Sequence, residues 1–229
     1  QPFVKNASGN YVFQGDTGQR SIQVSSTVQI PANDSGFDLF EMVATRRTAS
    51  GTSANIQVGV GDQGNFESFY RNNYDSSLAS NSFTVSTVAG PPDTYEITDS
   101  GGTVVQNGGY SAGNKIAFNG LALRLDLPAG GADQTFVLDK PKNDSVLNGM
   151  SDFLTALRDP SLSADGFQLA VADATTHMNN ARTKIDRGLG ELGGRMNSLE
   201  QVIGSNDGLS TLNQQARAKV SEADMYEVI

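Results

Sequence analysis

The feature that most constrains this sequence is a single apolar stripe in its last third. Between residues 171 and 203, apolar side chains recur at steps of three or four, the spacing that places residues on one face of an α-helix. The stripe predicts one long helix. Because it is narrow, it also predicts a coiled-coil-like partner of similar length. Its members are Val171, Ala174, Met178, Ala181, Ile185, Leu189, Leu192, Met196, Leu199 and Ile203.

A second stripe follows the glycine-containing polar run at 204–208. Leu209, Leu212, Ala216 and Val220 again keep helical spacing. Two interpretations remain open at this point: the helix bends at 204–208, or it ends there and restarts.

Four glycines interrupt the first stripe. Gly188, Gly190, Gly193 and Gly194 lie inside the predicted helix, where each glycine costs about 0.5–1 kcal/mol relative to alanine. On an ideal helix, Gly188 and Gly193 flank the stripe, whereas Gly190 and Gly194 fall on the far face. We therefore expect packing on two sides, with one partner close to the stripe and a second neighbour outside. Local softness in a helix that must flex is the simpler alternative.

A second amphipathic helix is predicted, but it is too short to cover the long one. Residues 145–158 carry apolar spacing behind a capping candidate at Asp144 or Ser145, and the pattern ends at Asp159-Pro160. We therefore expect the main partner to lie in another segment or subunit, and the natural chain to extend beyond both ends of this sequence. The expected helix-packing residues are Val171, Met178, Ile185, Gly188, Leu189, Gly190, Leu192, Gly193, Gly194, Met196, Leu199, Ile203, Leu209, Leu212 and Val220.

The first 140 residues carry β-strand signals instead. Near the start, the run YVFQGDTGQRSIQV predicts a β-hairpin around residues 15–18, and Pro31 closes the strand that follows. The run NDSGFDLFEMV then predicts a turn into one or two helical turns, capped by Asp34 or Ser35.

From about residue 54 to 140, apolar and polar residues alternate in short runs separated by turn-forming residues. This pattern predicts an antiparallel sheet or a small sandwich. The whole sequence therefore predicts an elongated α+β protein. Residues 1–44 and 141–229 would form a long coiled-coil-like helical domain with a β-hairpin, and residues 45–140 an inserted antiparallel β-rich domain.

Composition excludes several classes of function. The formal net charge of −9 argues against a nucleic-acid partner and against an anionic membrane surface. The absence of cysteine excludes disulfides, thiolate metal sites and cysteine nucleophiles. No run of 18 apolar residues is present, and the first residues do not resemble a signal peptide.

The sequence offers no convincing catalytic, cofactor or metal site. Gly59–Gly64 matches G-x-G-x-x-G, but no apolar helical stripe follows it, which favours a β-turn loop over a dinucleotide site. His177 is the single histidine, so a surface or interface role is favoured over a triad or metal site. Arg46-Arg47 is interpreted as a loop or domain-boundary charge, and a weak calcium site among the Asp/Asn/Gly loops stays open. We predict that the protein is not an enzyme.

Several motifs, in order along the chain, resemble one family. The tail RMNSLEQ with GLSTLNQQARAKVSEADMYEVI is similar to the C-terminal helices of bacterial flagellins. Within that superfamily, GGRMNSLE resembles the G-A-R-L-N-x-L-E segment of the hook-associated protein 3 family of hook–filament junction proteins. YVFQGDTGQRSIQV resembles that family's hairpin, and TYEITDSGGTVVQNGGYSAGNKIAFNGLALRLD resembles its insert. The sequence departs from the family at PAGGADQTF and Gly194, and residues 45–90 carry no matching motif.

This resemblance implies a structural subunit that acts by packing, without catalysis. The family is secreted through the flagellar type III pathway without a cleaved signal peptide and lies outside the cell, in the flagellum used for motility. The implied partners are hook-associated protein 1, flagellin and further copies of the chain in a ring. An export chaperone would bind a C-terminal region beyond this sequence, and an N-terminal helix would pair with residues 165–229.

Two alternatives remain at this stage. A small flagellin-type filament subunit would share most of the same motifs. A β-rich adhesin or fibre module on a helical stalk would also combine short strands with a long helix, and would form a trimeric stalk by itself.

Overall fold

The computed structural model describes residues 1–25 and 27–227, without the side chains of residues 223–227. Within these ranges the chain is a mixture of long helix and antiparallel strands, which confirms the predicted α+β class. It forms two compact units. Unit 1 consists of Gln1–Thr45 and the chain from Asn143 onward, and unit 2 consists of Arg46–Lys142.

The elements are numbered in chain order. The helices are α1 (Gly36–Glu41), α2 (Gln63–Asn73), α3 (Val146–Arg158) and α4 (Ala164–Glu227). The strands are β1 (Phe3–Lys5), β2 (Tyr11–Phe13), β3 (Ser21–Gln23), β4 (Gln29–Pro31), β5 (Val43–Ala44), β6 (Ala49–Gly51), β7 (Ile56–Val60), β8 (Ser82–Val88), β9 (Thr94–Thr98), β10 (Val104–Gly109), β11 (Lys115–Phe118), β12 (Leu121–Leu125), β13 (Gln134–Leu138) and β14 (Asn143–Asp144).

Unit 1 begins with two separate hairpins, and the single predicted hairpin was wrong. The predicted strands exist as β2 and β3, but β2 pairs with β1, and β3 pairs with β4. Apolar cross-strand pairs explain the choice, because directly opposed side chains are the unit of sheet stability. Phe3 lies opposite Phe13, with ring centroids 5.2 Å apart, and Ile22 lies opposite Ile30.

The helices of unit 1 follow the sequence pattern closely. Ser35 and Ser145 occupy the N-cap positions of α1 and α3, although neither side chain makes a capping hydrogen bond. The Ser145 hydroxyl instead donates to a Glu41 carboxylate oxygen at 3.0 Å, which ties the start of α3 to the end of α1. β5, which follows α1 in the chain, pairs antiparallel with β14, which precedes α3.

α4 runs without interruption through residues 204–208, so the alternative in which the helix ends and restarts was wrong. A continuing helix adds one hydrogen bond for each residue it fixes, whereas a new helix must form a costly first turn again. The two glycines of this run, Gly204 and Gly208, are therefore tolerated inside the helix.

Unit 2 is a small antiparallel sandwich, as the alternating pattern predicts. One sheet has the order β10-β9-β8-β13-β6, and the other has the order β11-β12-β7. Side chains of both sheets meet in one core, where Phe118 of β11 contacts Phe83 and Phe136 with ring centroids 5.7 and 5.9 Å away. Burying each such side chain stabilises the fold by roughly 1.5–3 kcal/mol.

A side chain joins the outer strands of the two sheets. The Gln106 amide of β10 donates to the Ala117 carbonyl of β11 at 2.9 Å and to the Tyr95 hydroxyl at 2.7 Å. At this point a side-chain hydrogen bond takes the place of a backbone ladder, so the edge of β10 is partly covered.

Candidate functional site

The face of α4 that packs against the rest of unit 1 carries polar and small residues. Successive steps of four, three, four and seven place them on one side of the helix. We call them the anchoring line: His177, Ala181, Lys184, Gly188 and Arg195. Periodicity of apolar residues could not reveal this line, because only Ala181 is apolar.

His177 lies at the centre of the α3–α4 contact, so of the two predicted roles the surface role is wrong, and the residue lies in an interface between two helices of the same chain. Its side chain is buried, with one ring nitrogen 3.3 Å from the Asp144 carbonyl. The ring fits because Gly149 of α3 has no side chain, and a Cβ there would overlap the Nδ1 atom of His177. The histidine is a packing residue that joins α4 to α3 and β14.

Lys184 and Arg195 fasten α4 to the segment that contains α1. The Lys184 ammonium donates to the Met42 carbonyl at 2.8 Å and to a carboxylate oxygen of Asp38 at 3.1 Å. Arg195 forms an ion pair with Asp34, and its guanidinium also reaches the Pro31 carbonyl at 3.5 Å. The Arg195 and Asp34 side chains are 14% and 30% exposed, which limits screening of their ion pair, whereas Asp38 is 68% exposed and its pair with Lys184 is more strongly screened by water and salt.

The large side chains of the apolar stripe predicted from the sequence point away from these contacts, and only Ala181 belongs to both the stripe and the anchoring line. At 100° per residue, its centre lies about 80° around the helix from the anchoring line. Its large side chains are between 36% (Val171) and 61% (Leu189) exposed. The structure therefore brings the stripe together as one continuous face that the described residues leave largely open: Val171, Met178, Ile185, Leu189, Leu192, Met196, Leu199 and Ile203.

A groove between α3 and α4 extends this open face. It encloses about 430 Å³ and is lined mainly by apolar side chains. Met150 and Leu154 of α3 are about half exposed along one wall, and Met178 of α4 lies on the other. An apolar groove of this kind is an ordinary docking surface for another helix.

The second stripe faces a different direction on the same helix. Leu209, Leu212 and Val220 are 55–70% exposed. Because α4 is continuous, the angle between the two stripes can be calculated, and it is about 130° at 100° per residue. A single straight partner helix cannot cover both stripes, so two surfaces are required.

The four glycines of the first stripe have different surroundings. A Cβ at Gly188 would lie 3.2 Å from Leu39 of α1, so the space that this glycine leaves is occupied by the same chain. Hypothetical Cβ atoms at Gly190, Gly193 and Gly194 meet nothing within 4 Å. These three glycines together cost the helix about 1.5–3 kcal/mol relative to alanine, and no contact among the described residues explains them.

The prediction that no helix follows the G-x-G-x-x-G run at Gly59–Gly64 was wrong, because α2 begins there. α2 starts directly after Asp62, whose carboxylate accepts a hydrogen bond from the Asn65 amide at 3.1 Å. The loop amides of Gly61 and Asp62 both donate to the Gly120 carbonyl, at 2.8 and 2.9 Å. An acidic cap and a protein carbonyl thus occupy the positions that a phosphate would need, and β7 pairs antiparallel rather than in a parallel βαβ unit.

The two arginines lie in a loop at the start of unit 2, as predicted for a loop or domain-boundary charge, but their side chains are held by contacts within the unit. Arg46 is buried and donates to the Gln63 side-chain oxygen at 3.2 Å, while the Arg47 guanidinium lies 5.2 Å from the ring centre of Tyr70. Both residues therefore help to hold α2 against the sheets.

In the part of the chain that the structure describes, no three His, Cys, Asp or Glu residues are grouped to hold a metal ion. Nor does any described helix have the length and hydropathy needed to cross a bilayer.

Comparison with known proteins finds similarity at the level of structure. No family model and no curated protein matches the sequence. The crystal structure of flagellar hook-associated protein 3 from Legionella pneumophila matches with a TM-score of 0.60 at 20% identity, covering 97% of this chain and 70% of that chain. FlgL from Xanthomonas campestris matches with a TM-score of 0.54 at 18% identity, covering 96% and 70% of the two chains.

A further crystal structure agrees with these two. The flagellar junction protein FlgL from Legionella pneumophila matches with a TM-score of 0.52 at 20% identity, covering 93% of this chain and 68% of that chain. Both Legionella neighbours are flagellar proteins by name, and the similarity spans both units, since it covers 93–97% of this chain. It confirms, at the level of fold, the resemblance that the sequence motifs carry: this chain has the fold of the hook-associated protein 3 structures.

Proposed function

We propose that this chain is the structural subunit that joins the flagellar hook to the flagellin filament. The observation that carries the proposal is the fold shared with hook-associated protein 3 over 97% of the chain. The motifs GGRMNSLE and GLSTLNQQARAKVSEADMYEVI support it independently, because they come from the sequence rather than from the fold. The subunit acts by packing and carries out no reaction.

The open faces of α4 are the proposed assembly surface. The first stripe and the α3–α4 groove together present apolar side chains that are about half exposed in the described chain. Water contact with such a continuous face is unfavourable, so burial by a helix would stabilise the assembled form. The second stripe, which faces about 130° away, would contact a different neighbour. We assign packing roles to the stripe residues and to Gly188, Gly190, Gly193 and Gly194.

The proposed partners follow from the place of the subunit in the flagellum. Hook-associated protein 1 would lie on one side, flagellin on the other, and further copies of the chain would complete a ring. The protein would act outside the cell, after export by the flagellar type III pathway with the help of a chaperone. No metal or cofactor takes part in this proposal.

Deletion of the gene in the bacterium that encodes it tests the function. We expect hooks without filaments in electron micrographs and flagellin released into the medium, with both defects reversed by a plasmid copy. Immunogold labelling should mark only the hook–filament boundary.

Other outcomes would identify a different function. Label along the whole filament would favour a flagellin-type subunit. Normal filaments together with reduced surface attachment would favour an adhesin, and would overturn the junction proposal.

A further inference from the structure

The stretch Gly188–Gly194 is a weak point within a continuous helix. It contains four glycines in seven residues, and three of them face open space. Glycine lowers helix stability because it gives up more backbone freedom than any other residue on folding. The stripe side chains Leu189 and Leu192, which lie between the glycines, are 61% and 44% exposed and are therefore only partly packed by the described chain. Among the residues that the structure describes, none of Gly188–Gly194 is buried.

Contacts from another segment bracket the weak stretch. Lys184 lies four residues before Gly188, and Arg195 directly follows Gly194. Lys184 binds Asp38 and the Met42 carbonyl, whereas Arg195 binds Asp34 and reaches the Pro31 carbonyl. All four partners belong to one short segment, residues 31–42, which runs alongside the glycines from one ion pair to the other.

Within the bracket, the same segment also covers the helix directly. Leu39 of α1 lies over Gly188. A Cβ added to Gly188 would be 3.2 Å from the Cδ2 atom of Leu39. The segment is itself tied to the β3–β4 hairpin, because the Ala32 amide donates to the Arg20 carbonyl at 2.7 Å and the Asn33 side-chain oxygen accepts from the Arg20 amide at 2.7 Å. Residues 31–42 therefore form a supported element rather than a loose loop.

We propose that residues 31–42 act as a splint for α4, and that Gly188–Gly194 is a conditional hinge. With the splint docked, the two ion pairs hold the helix straight on both sides of the glycines. With the splint released, the glycine stretch loses the two ion pairs that flank it, Lys184–Asp38 and Arg195–Asp34, and α4 bends or frays there. The long helix thus has two states, selected by a contact about 150 residues away in sequence. This inference concerns the fold alone and does not depend on the proposed function.

Distance measurements between spin labels test the hinge. The chain has no cysteine, so Asn179→Cys and Gln201→Cys place labels on exposed positions on either side of the glycines without further changes. An intact helix gives a narrow distribution of distances between the two labels, centred at about 33 Å, because the helix rises 1.5 Å per residue. In the Asp34→Asn, Asp38→Asn variant, which removes both ion pairs, we expect a broader distribution that extends to shorter distances.

Alanine rescue separates the hinge from a general loss of stability. Gly190→Ala, Gly193→Ala and Gly194→Ala fit without contact, since hypothetical Cβ atoms there meet nothing within 4 Å. Added to the ion-pair variant, these alanines should restore the narrow distribution, because the helix no longer needs the splint. The control Asp186→Asn removes the exposed Arg182–Asp186 pair within α4 and should change nothing.

Hydrogen exchange provides a second readout. In the ion-pair variant, amides of residues 188–195 should exchange at least about tenfold faster, while those of α3 and unit 2 keep their rates. An unchanged distance distribution, or one that the three alanines do not narrow, would overturn the hinge. If the double variant also speeds exchange in α3, Asp34→Asn alone serves as the test, because it removes only the Arg195–Asp34 ion pair. It should speed exchange at residues 188–195 by a smaller factor. Equally fast exchange along the whole of α4 in that variant would overturn the proposal as well.

Discussion

Gly149 of α3 lies directly against the imidazole of His177 of α4, so closely that a Cβ at Gly149 would overlap the Nδ1 atom. This contact fixes the distance between the two helices. Gly149→Ala should therefore destabilise unit 1 by about 1–3 kcal/mol through overpacking, which outweighs the gain of about 0.5–1 kcal/mol in helix propensity. Urea unfolding followed by circular dichroism measures the change.

The matched control is the same substitution at an open position. Gly193→Ala meets nothing within 4 Å and should stabilise the helix by about 0.5–1 kcal/mol. Equal effects of the two substitutions would show that the Gly149–His177 contact does not set the helix spacing.

Leu192→Asp separates assembly from stability. Leu192 is 44% exposed in the described chain, so the substitution should lower its unfolding free energy by only about 1 kcal/mol, from helix propensity and lost partial burial. In the assembled flagellum a carboxylate on the stripe would be buried without a partner, which is strongly unfavourable. We expect cells that carry this variant to lack filaments, as judged by swimming and electron microscopy.

The control for that experiment is Gln201→Asp, which adds the same charge to α4 on an exposed position outside the stripe. It should leave filaments normal. Normal filaments with Leu192→Asp would mean that Leu192 is not buried on assembly.

Local periodicity explains what the sequence could reveal. The stripe from Val171 to Ile203 predicts α4 because the repeat of a helix is written into neighbouring residues. The strands of unit 2 were predictable for the same reason, since alternation is also local.

Contacts between distant residues account for what was missed. The Lys184–Asp38 pair joins residues 146 positions apart, and no local pattern marks either residue. The pairing of β2 with β1 depended on Phe3 meeting Phe13, a choice among several possible partners. α2 was missed because its buried face consists of Phe66 and Tyr70, which are too few to form a recognisable stripe.

Unit 2 should fold when it is expressed alone as residues 46–142. Its core is its own, with Phe66, Phe118 and Phe136 fully buried by residues of the same unit. We expect dispersed amide resonances and a cooperative thermal transition.

Gly120→Ala provides a structural check on that fragment. Gly120 has a φ of +84° and lies so close to the start of α2 that a Cβ would overlap the Phe66 amide nitrogen. The substitution should lower the transition temperature sharply, whereas Gly59→Ala, at a site with nothing within 4 Å, should have little effect. A fragment that stays unfolded in its unsubstituted form would show that unit 2 depends on unit 1.

The stability of unit 2 should fall as the pH rises from 10 to 12. Burial raises the pKa of Tyr70 from 10.0 to about 12, partly opposed by Arg47, and its hydroxyl donates to the Asp139 carbonyl. Between these pH values the unfolded tyrosine has lost its proton while the folded one keeps it, so the folded state binds more protons and loses stability with rising pH. Tyr70→Phe removes the hydrogen bond and should lower the free energy of unfolding by about 1 kcal/mol at pH 7. Above pH 10, its free energy of unfolding should decline less steeply than that of the unsubstituted fragment.

Burial also raises the pKa of Tyr110, so Tyr110→Phe should likewise make the decline of the unfolding free energy with pH less steep. Urea unfolding of the 46–142 fragment at several pH values measures both slopes, and slopes equal to that of the unsubstituted fragment would contradict the assignment.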